Sequence, residues 1–219
     1  GSCYAAVVTS ATLRALGSFD TLKRETGLPN SAHFMAVAGA FDYANAAVIR
    51  VPKDAVEGNS IEDHSRYIVD NLASLVAPRC GTLVLFSSRR QMEGVFDELS
   101  NDLQKQILIQ GQYSNREMIR LHKERIDQGK TSVLLGLASF AEGVDLPGDY
   151  CRHVVIAKLP FAVPDEPLQE ALAEWIEDRG GNSFFDISLP VASLRLIQAC
   201  GRLLRTESDS GTVTILDKR

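Results

Sequence analysis

The sequence predicts an α/β protein, a three-layer α/β/α sandwich built on a mostly parallel sheet. Three observations predict it. Short, uninterrupted runs of Val, Ile and Leu recur along the chain, as strands covered on both faces require. Stretches of helical spacing fill the intervals between them. The succession of strand, helix and strand implies right-handed crossovers between parallel neighbours.

The strand-like runs are "AAVV" (5–8), "AAVIRV" (46–51), "TLVLF" (82–86), "QILIQ" (106–110), "SVLL" (132–135), "HVVIAK" (153–158) and "TVTIL" (212–216). Helical spacing covers 61–75, 91–99, 116–126, 168–176 and 193–204. Between 160 and 190, Pro160, Pro164, Pro167, Gly180 and Gly181 mark a helical insertion around one amphipathic helix rather than a separate domain. Gly1 and Ser2 read as an expression-tag scar, so residues 3–219 form the expected domain, cut from something longer.

The 219 residues are 45% hydrophobic and 23% charged, enough for one large core or two small ones. A formal net charge of -5 supplies no global basic field, so any nucleic-acid contact has to come from a local cluster. Cys3, Cys80, Cys151 and Cys200 are far apart and show no metal-ligand spacing, which predicts no metal site and reduced, mostly buried thiols of a cytoplasmic protein. No run approaches the roughly 20 apolar residues of a membrane span, so no membrane partner is expected.

In an open parallel sheet, ligands bind beyond the carboxyl ends of the strands, so the residues just after each strand matter most. They are "TSAT" (9–12), "SSRR" (87–90), "QG" (110–111) and "GLASFAEGVDLPG" (136–148). Singly, such hydroxyls are more often turn starts or helix caps; together they mark one edge as polar. In the long loop, Gly136, Gly143 and Gly148 allow close backbone approach, and Glu142 and Asp145 offer acceptors for a ribose or an ordered water. Neither G-x-x-x-x-G-K-[ST] nor G-x-G-x-x-G occurs, so the chain has no phosphate cradle of its own.

The stretch "QACGRLLR" (198–205) then takes on meaning. As a helix it would set Gln198, Arg202 and Arg205 within an arc of roughly 60°, opposite a greasy face. The bland alternative is a solvated amphipathic helix. Arginines without a cradle suit half of a nucleotide site, with the cradle supplied by another lobe.

In order and spacing, "TSAT", "LVLFSSRR", "QG", "LLGLASFAEGVDLPG" and "QACGRLLR" resemble motifs III to VI of superfamily-two helicases. Within that superfamily the chain is most similar to the second, RecA-like motor domain of the DinG type, the XPD-like branch. The closest match is carried by "SFAEGVDLPG" and "SLPVASLRLIQACGRLLRTESDSGTVTILDKR". Glu142 stands where many superfamily members place arginine, as is common in that branch.

The resemblance implies that Arg202 and Arg205 reach the γ-phosphate of ATP with Gln198 coupling the site, and that Glu142, Gly143 and Asp145 line the nucleotide side. It implies that Ser87, Ser88, Arg89, Arg90, Gln110 and Gly111 face single-stranded DNA, while Thr9, Ser10 and Thr12 link hydrolysis to strand movement. ATP and Mg2+ would be shared with a first, N-terminal motor domain of the same polypeptide, which would also hold a 4Fe-4S cluster. The whole would be a monomeric 5′-to-3′ DNA helicase for replication and repair. A non-catalytic α/β protein-docking module is the alternative.

Overall fold

The computed structural model describes residues 6–29, 31–39, 42–161 and 167–219. They fall into two compact units, one drawn from Gly1–Ala38 and Phe161–Ile197, the other from Gly39–Pro160 and Gln198–Arg219. The second unit holds six strands: β1 (Ala47–Arg50), β2 (Gly81–Phe86), β3 (Ile107–Ile109), β4 (Ser132–Leu137), β5 (His153–Ile156) and β6 (Gly211–Ile215). They form one sheet in the order β1-β6-β5-β2-β4-β3, and every pairing is parallel. The helices are α1 (Asp20–Thr26), α2 (Tyr43–Ala46), α3 (Ile61–Leu75), α4 (Arg89–Glu98), α5 (Asn101–Gln104), α6 (Asn115–Asp127), α7 (Ala138–Glu142), α8 (Pro167–Glu177) and α9 (Leu189–Cys200).

Local chemistry starts the long helices of the sheet unit. Ser60 caps α3 by accepting from the Asp63 N–H at 3.3 Å, and Glu62 and Asp63 lie favourably in the first turn. Ser114 caps α6 in the same way, accepting from the Glu117 N–H at 3.2 Å. Each helix then buries residues four apart: His64, Ile68 and Leu72 in α3, and Met118, His122 and Ile126 in α6. That spacing makes one inward stripe.

The strands alternate between two covered faces. On one, Val84, Phe86, Val133, Leu135 and Val155 pack with Ile68 and Leu72 of α3 and Met92 and Val95 of α4. Truncating a side chain as buried as Phe86 would cost about 3–5 kcal/mol. On the other face α6 is anchored through His122, whose Nε2–H donates to the Tyr150 carbonyl while Nδ1 accepts from the Ser132 hydroxyl, both at 2.8 Å. The expected three layers are present, and β2, β4 and β5 are buried as central strands must be. The edge differs: among the described residues β1 pairs only with β6, and Val48 and Ile49 are 51% and 65% exposed.

Two expectations need correction. The run "AAVV" is not a strand: residues 6–8 lie outside any helix or strand, Val7 is 92% exposed, and Ala5 falls outside the described residues. The helix expected over 193–204 runs instead from Leu189 to Cys200 and stops before Gly201. In the first unit, α1 ends at Gly27 (φ 62), whose N–H returns to the Lys23 carbonyl at 2.9 Å. The amphipathic helix expected near 168–176 is α8, followed by a π-helical turn at Phe184–Ser188. This stretch clusters with the N-terminal residues and not with the sheet. Cys3, Pro164 and the Gly1-Ser2 pair lie outside the described residues.

Candidate nucleotide and nucleic-acid site

The chain turns at Gly201 after α9, so Arg202 and Arg205 do not share a helical face with Gln198. They reach one loop by a different route. Leu203 and Leu204 between them are buried and pin the segment, and both guanidinium groups extend to the loop after α7. Arg202 Nη1 donates to the Val144 carbonyl at 3.3 Å, and Arg205 Nε donates to Asp145 Oδ1 at 2.7 Å. Val144 and Leu146 are buried on either side of Asp145, so the loop is anchored by two apolar side chains and turns its carboxylate outward. Gln198 is exposed in the last turn of α9.

The stretch 136–148, expected as one long loop, instead ends β4, forms α7 and only then turns, and its three glycines serve separate ends. Gly136 has no room for a side chain, since a Cβ there would lie 2.5 Å from Phe140 Cδ1, so it permits packing rather than ligand approach. Gly148 has φ 62, a conformation that disfavours other residues. Beside Gly143 the space is open, as close approach of a ligand to the backbone requires. The Glu142 side chain lies outside what the structure describes.

Sequence reasoning missed Asp209. This nearly buried carboxylate accepts from the N–H groups of Arg205 and Thr206 and the Thr206 hydroxyl, each at 2.8 Å, and from the Gly148 N–H at 3.0 Å. Burial alone would raise its pKa, but the hydrogen bonds from Thr206, Arg205 and Gly148 outweigh burial and hold it below the ordinary value. A lone aspartate in "TESDSG" reads as a turn residue, and only the fold brings Gly148 to it. Asp217 was also missed. It is buried after β6 and accepts from Leu159 N–H at 3.1 Å and from Arg219 Nη2 at 2.6 Å. Burial pushes its pKa up, but the Arg219 and Leu159 hydrogen bonds bring it down to about 2.

At the carboxyl ends of β2, β3 and β4 a second cluster forms. Ser87 is exposed, Ser88 caps α4 by accepting from the Gln91 N–H at 3.4 Å, and Arg89 and Arg90 stand exposed in its first turn. Gly111 (φ 110) lies against the start of α4, where a Cβ would be 3.1 Å from Arg89 Nη1. Gln110 Oε1 accepts from the Leu137 N–H at 2.8 Å and ties β3 to β4, so one of its polar atoms already has a structural use. Thr9, Ser10 and Thr12 belong to the other compact unit, in a turn where Ser10 Oγ accepts from the Thr12 N–H at 3.3 Å.

A cavity of about 740 Å³ opens elsewhere in the sheet unit, lined by Arg50, Lys53, Leu75, His153, Thr212 and Thr214 among others. It contains none of the site residues. Among the described residues no group of three His, Cys, Asp or Glu side chains is placed to hold a metal ion, and no helix is long and apolar enough to cross a membrane.

A wholly parallel sheet with helices on both faces of its central strands, and with two arginines brought to the loop after α7, has the fold of a RecA-like lobe. Residues 72–219 match the family model of the helicase C-terminal domain, and the chain belongs to that family. It is 42% identical over 219 residues to the ATP-dependent DNA helicase DinG of Photobacterium profundum, covering 98% of this chain and 32% of the relative. To the ATP-dependent DNA helicase DinG of Escherichia coli K12 it is 38% identical over 220 residues, covering 97% of this chain and 30% of the relative. The chain thus spans about a third of the length of these curated relatives. Among solved structures, S. tokodaii Xpd4 superposes with a TM-score of 0.61 at 16% identity, over 87% of this chain and 37% of that one. An XPD helicase gives 0.58 at 22% identity, over 78% and 31%. These two likenesses establish the fold.

Proposed function

We propose that the chain is the second motor lobe of an ATP-dependent DNA helicase of the DinG type, completing a nucleotide site whose phosphate cradle lies in a first lobe of the same polypeptide. The observation that carries this reading is the convergence of Arg202 and Arg205 on the Val144–Asp145 loop. Arg205 commits only its Nε to Asp145; its two Nη groups have no hydrogen bond among the described residues and suit the oxygens of a γ-phosphate. The donor set fits ATP better than a caged ion, so Mg2+ would be held chiefly by the phosphates and the first lobe. Gly143 offers open backbone on the nucleotide side, Glu142 lies next to it in sequence, and Gln198 in the last turn of α9 couples the site.

The cluster of Ser87, Ser88, Arg89, Arg90, Gln110 and Gly111 would contact single-stranded DNA. Its two arginines meet phosphates, and the exposed Ser87 hydroxyl adds a donor. Thr9, Ser10 and Thr12 would transmit hydrolysis to strand movement. The full polypeptide would act as a monomer in the bacterial cytoplasm, translocate 5′ to 3′ in replication or repair, and carry its 4Fe-4S cluster outside this chain. Residues 3–219 would serve as one functional lobe, with the stretch near 160–190 as its helical elaboration.

The test is an unwinding assay on the full-length polypeptide with duplexes bearing 5′ or 3′ single-stranded tails. ATP-dependent unwinding of the 5′-tailed substrate alone is expected. Unwinding confined to 3′ tails would overturn the polarity, and a protein that neither hydrolyses ATP nor unwinds would leave the docking-module alternative.

A further inference from the structure

The strongest unassigned relationship in the sheet unit is the four-fold use of Asp209. Its Oδ2 accepts from the consecutive N–H groups of Arg205 and Thr206, and its Oδ1 accepts from the Thr206 hydroxyl and the Gly148 N–H. The Asp209 N–H in turn donates to the Thr206 carbonyl at 3.1 Å, closing the turn 206–209. Gly148 closes the loop that carries Val144 and Asp145, while Arg205 begins the segment leading to Asp209 and β6. One carboxylate therefore joins two stretches of chain 61 residues apart.

We propose that Asp209 is the positioning residue of the arginine pair: it locks the Arg205 backbone to the Gly148 end of the loop, so that Arg205 and Asp145 are presented to the nucleotide as one rigid piece. This rests on the reading of Arg205 as a phosphate-contacting group. Asp209 itself touches no substrate. Its effect comes through the direction of the Arg205 side chain, whose Cα is held by the N–H that Asp209 receives. A displacement of about 1 Å at a phosphate-contacting guanidinium is enough to lower a rate by roughly two orders of magnitude.

The carboxylate form is needed because all four partners are donors. An asparagine would keep one acceptor oxygen and turn an amide N–H₂ towards two of the donors, so about half of the bonds would be lost with little change in volume. A glutamate keeps four acceptor sites on a longer arm. Thr206→Val removes one of the four bonds to the carboxylate, together with the contact of its hydroxyl to Ser208 Oγ at 3.1 Å, and leaves the carboxylate in place.

The experiment measures steady-state ATP hydrolysis, single-strand affinity and melting temperature on the full-length polypeptide with Asp209→Asn, Asp209→Glu, Thr206→Val and Arg205→Ala. For Asp209→Asn the expected result is a fall in kcat of about tenfold or more with KM for ATP and single-strand affinity changed less than about threefold. Asp209→Glu should recover part of the loss, and Thr206→Val should lower kcat by about twofold to fivefold. If Asp209→Asn melts earlier yet keeps the parental kcat while folded, the residue is a turn cap and the proposal falls. Should Asp209→Asn fail to fold, the same kcat-against-KM split in Thr206→Val decides, and a parental kcat there overturns the idea. Arg205→Ala keeps the two readings apart: parental hydrolysis in that variant removes the arginine reading, whatever Asp209 does.

Discussion

Arg205 Nε sits 2.7 Å from Asp145 Oδ1, an ion pair between a guanidinium 38% exposed and a carboxylate 66% exposed, 60 residues apart in sequence. Such a solvent-screened pair contributes at most about 1 kcal/mol to stability. The pair is better suited to aiming the guanidinium than to holding the fold together. Arg205→Ala is therefore expected to leave melting nearly unchanged while abolishing ATP-driven unwinding by the full-length polypeptide. Arg205→Lys should be severely impaired as well, because an ammonium cannot reproduce the fork that would engage carboxylate and phosphate together. Near-parental unwinding by both variants would return this segment to a solvated surface.

The 219-residue chain by itself is expected to hydrolyse ATP no faster than buffer. Two arginines and an open glycine backbone bind a triphosphate weakly without a cradle, and transition-state charge can be stabilised only where the phosphate is already held. A phosphate-release assay on a preparation freed of other ATPases measures it. Turnover stimulated by single-stranded DNA would defeat the half-site reading.

Single-strand binding by the chain should be weak and only mildly salt-dependent. With Arg89 and Arg90 as the cations of the cluster, the slope of log affinity against log salt should be no steeper than about −1.4, at about 0.7 per neutralised phosphate. Arg89 also lies 3.9 Å from Glu93, which lowers its effective charge towards DNA. Fluorescence anisotropy with a labelled oligonucleotide over a salt series gives the slope. A value steeper than about −4 would require a far larger basic footprint than this cluster.

Stability should fall as pH drops through the histidine range. Burial, reinforced by Arg125 and Lys123, pushes the His122 pKa down to about 4, while the unfolded chain takes up that proton near 6.5. Between these values the unfolded state binds more protons. The contribution is thus complete above pH 6.5 and is lost progressively down to pH 4, amounting to about 3 kcal/mol. His64 and His153 are also lowered by burial and act in the same direction. Urea titrations at pH 4 to 8 would show it, and a flat profile across that window would contradict the burial argument.

Gly136→Ala tests the packing role assigned to that glycine. The added methyl would meet Phe140 Cδ1 at 2.5 Å in a closely packed interior, so strain of about 1–3 kcal/mol is expected, with α7 displaced. Circular-dichroism melting measures the loss. An unshifted melting temperature would mean that Phe140 can turn aside freely.

Much of the fold was legible because burial on both faces forces a readable composition. "TLVLF" and "SVLL" could hardly be anything but central strands, and the i, i+4, i+8 stripe of α3 fixed a helix over 61–75. The exposed run at 6–8 was misread because a short apolar stretch carries no mark of whether a sheet receives it. The segment from 198 to 205 was misread in a more instructive way. Its spacing suggested a continuous helix, yet Gly201 ends that helix, and the arginines converge through buried Leu203 and Leu204 instead. The two arginines stood out in the sequence there, while the geometry that brings them to one loop did not. Asp209 could not be found from sequence at all, since its meaning lies in a hydrogen bond to Gly148 across 61 residues.

The outer strand β1 has a practical consequence for handling the molecule. With Val48 and Ile49 facing water and one side of its backbone ladder unpaired by any other named strand, β1 is a template on which a second copy can stack when the chain is concentrated. Light scattering that grows with protein concentration and vanishes in Ile49→Lys would identify this edge as the cause of any self-association.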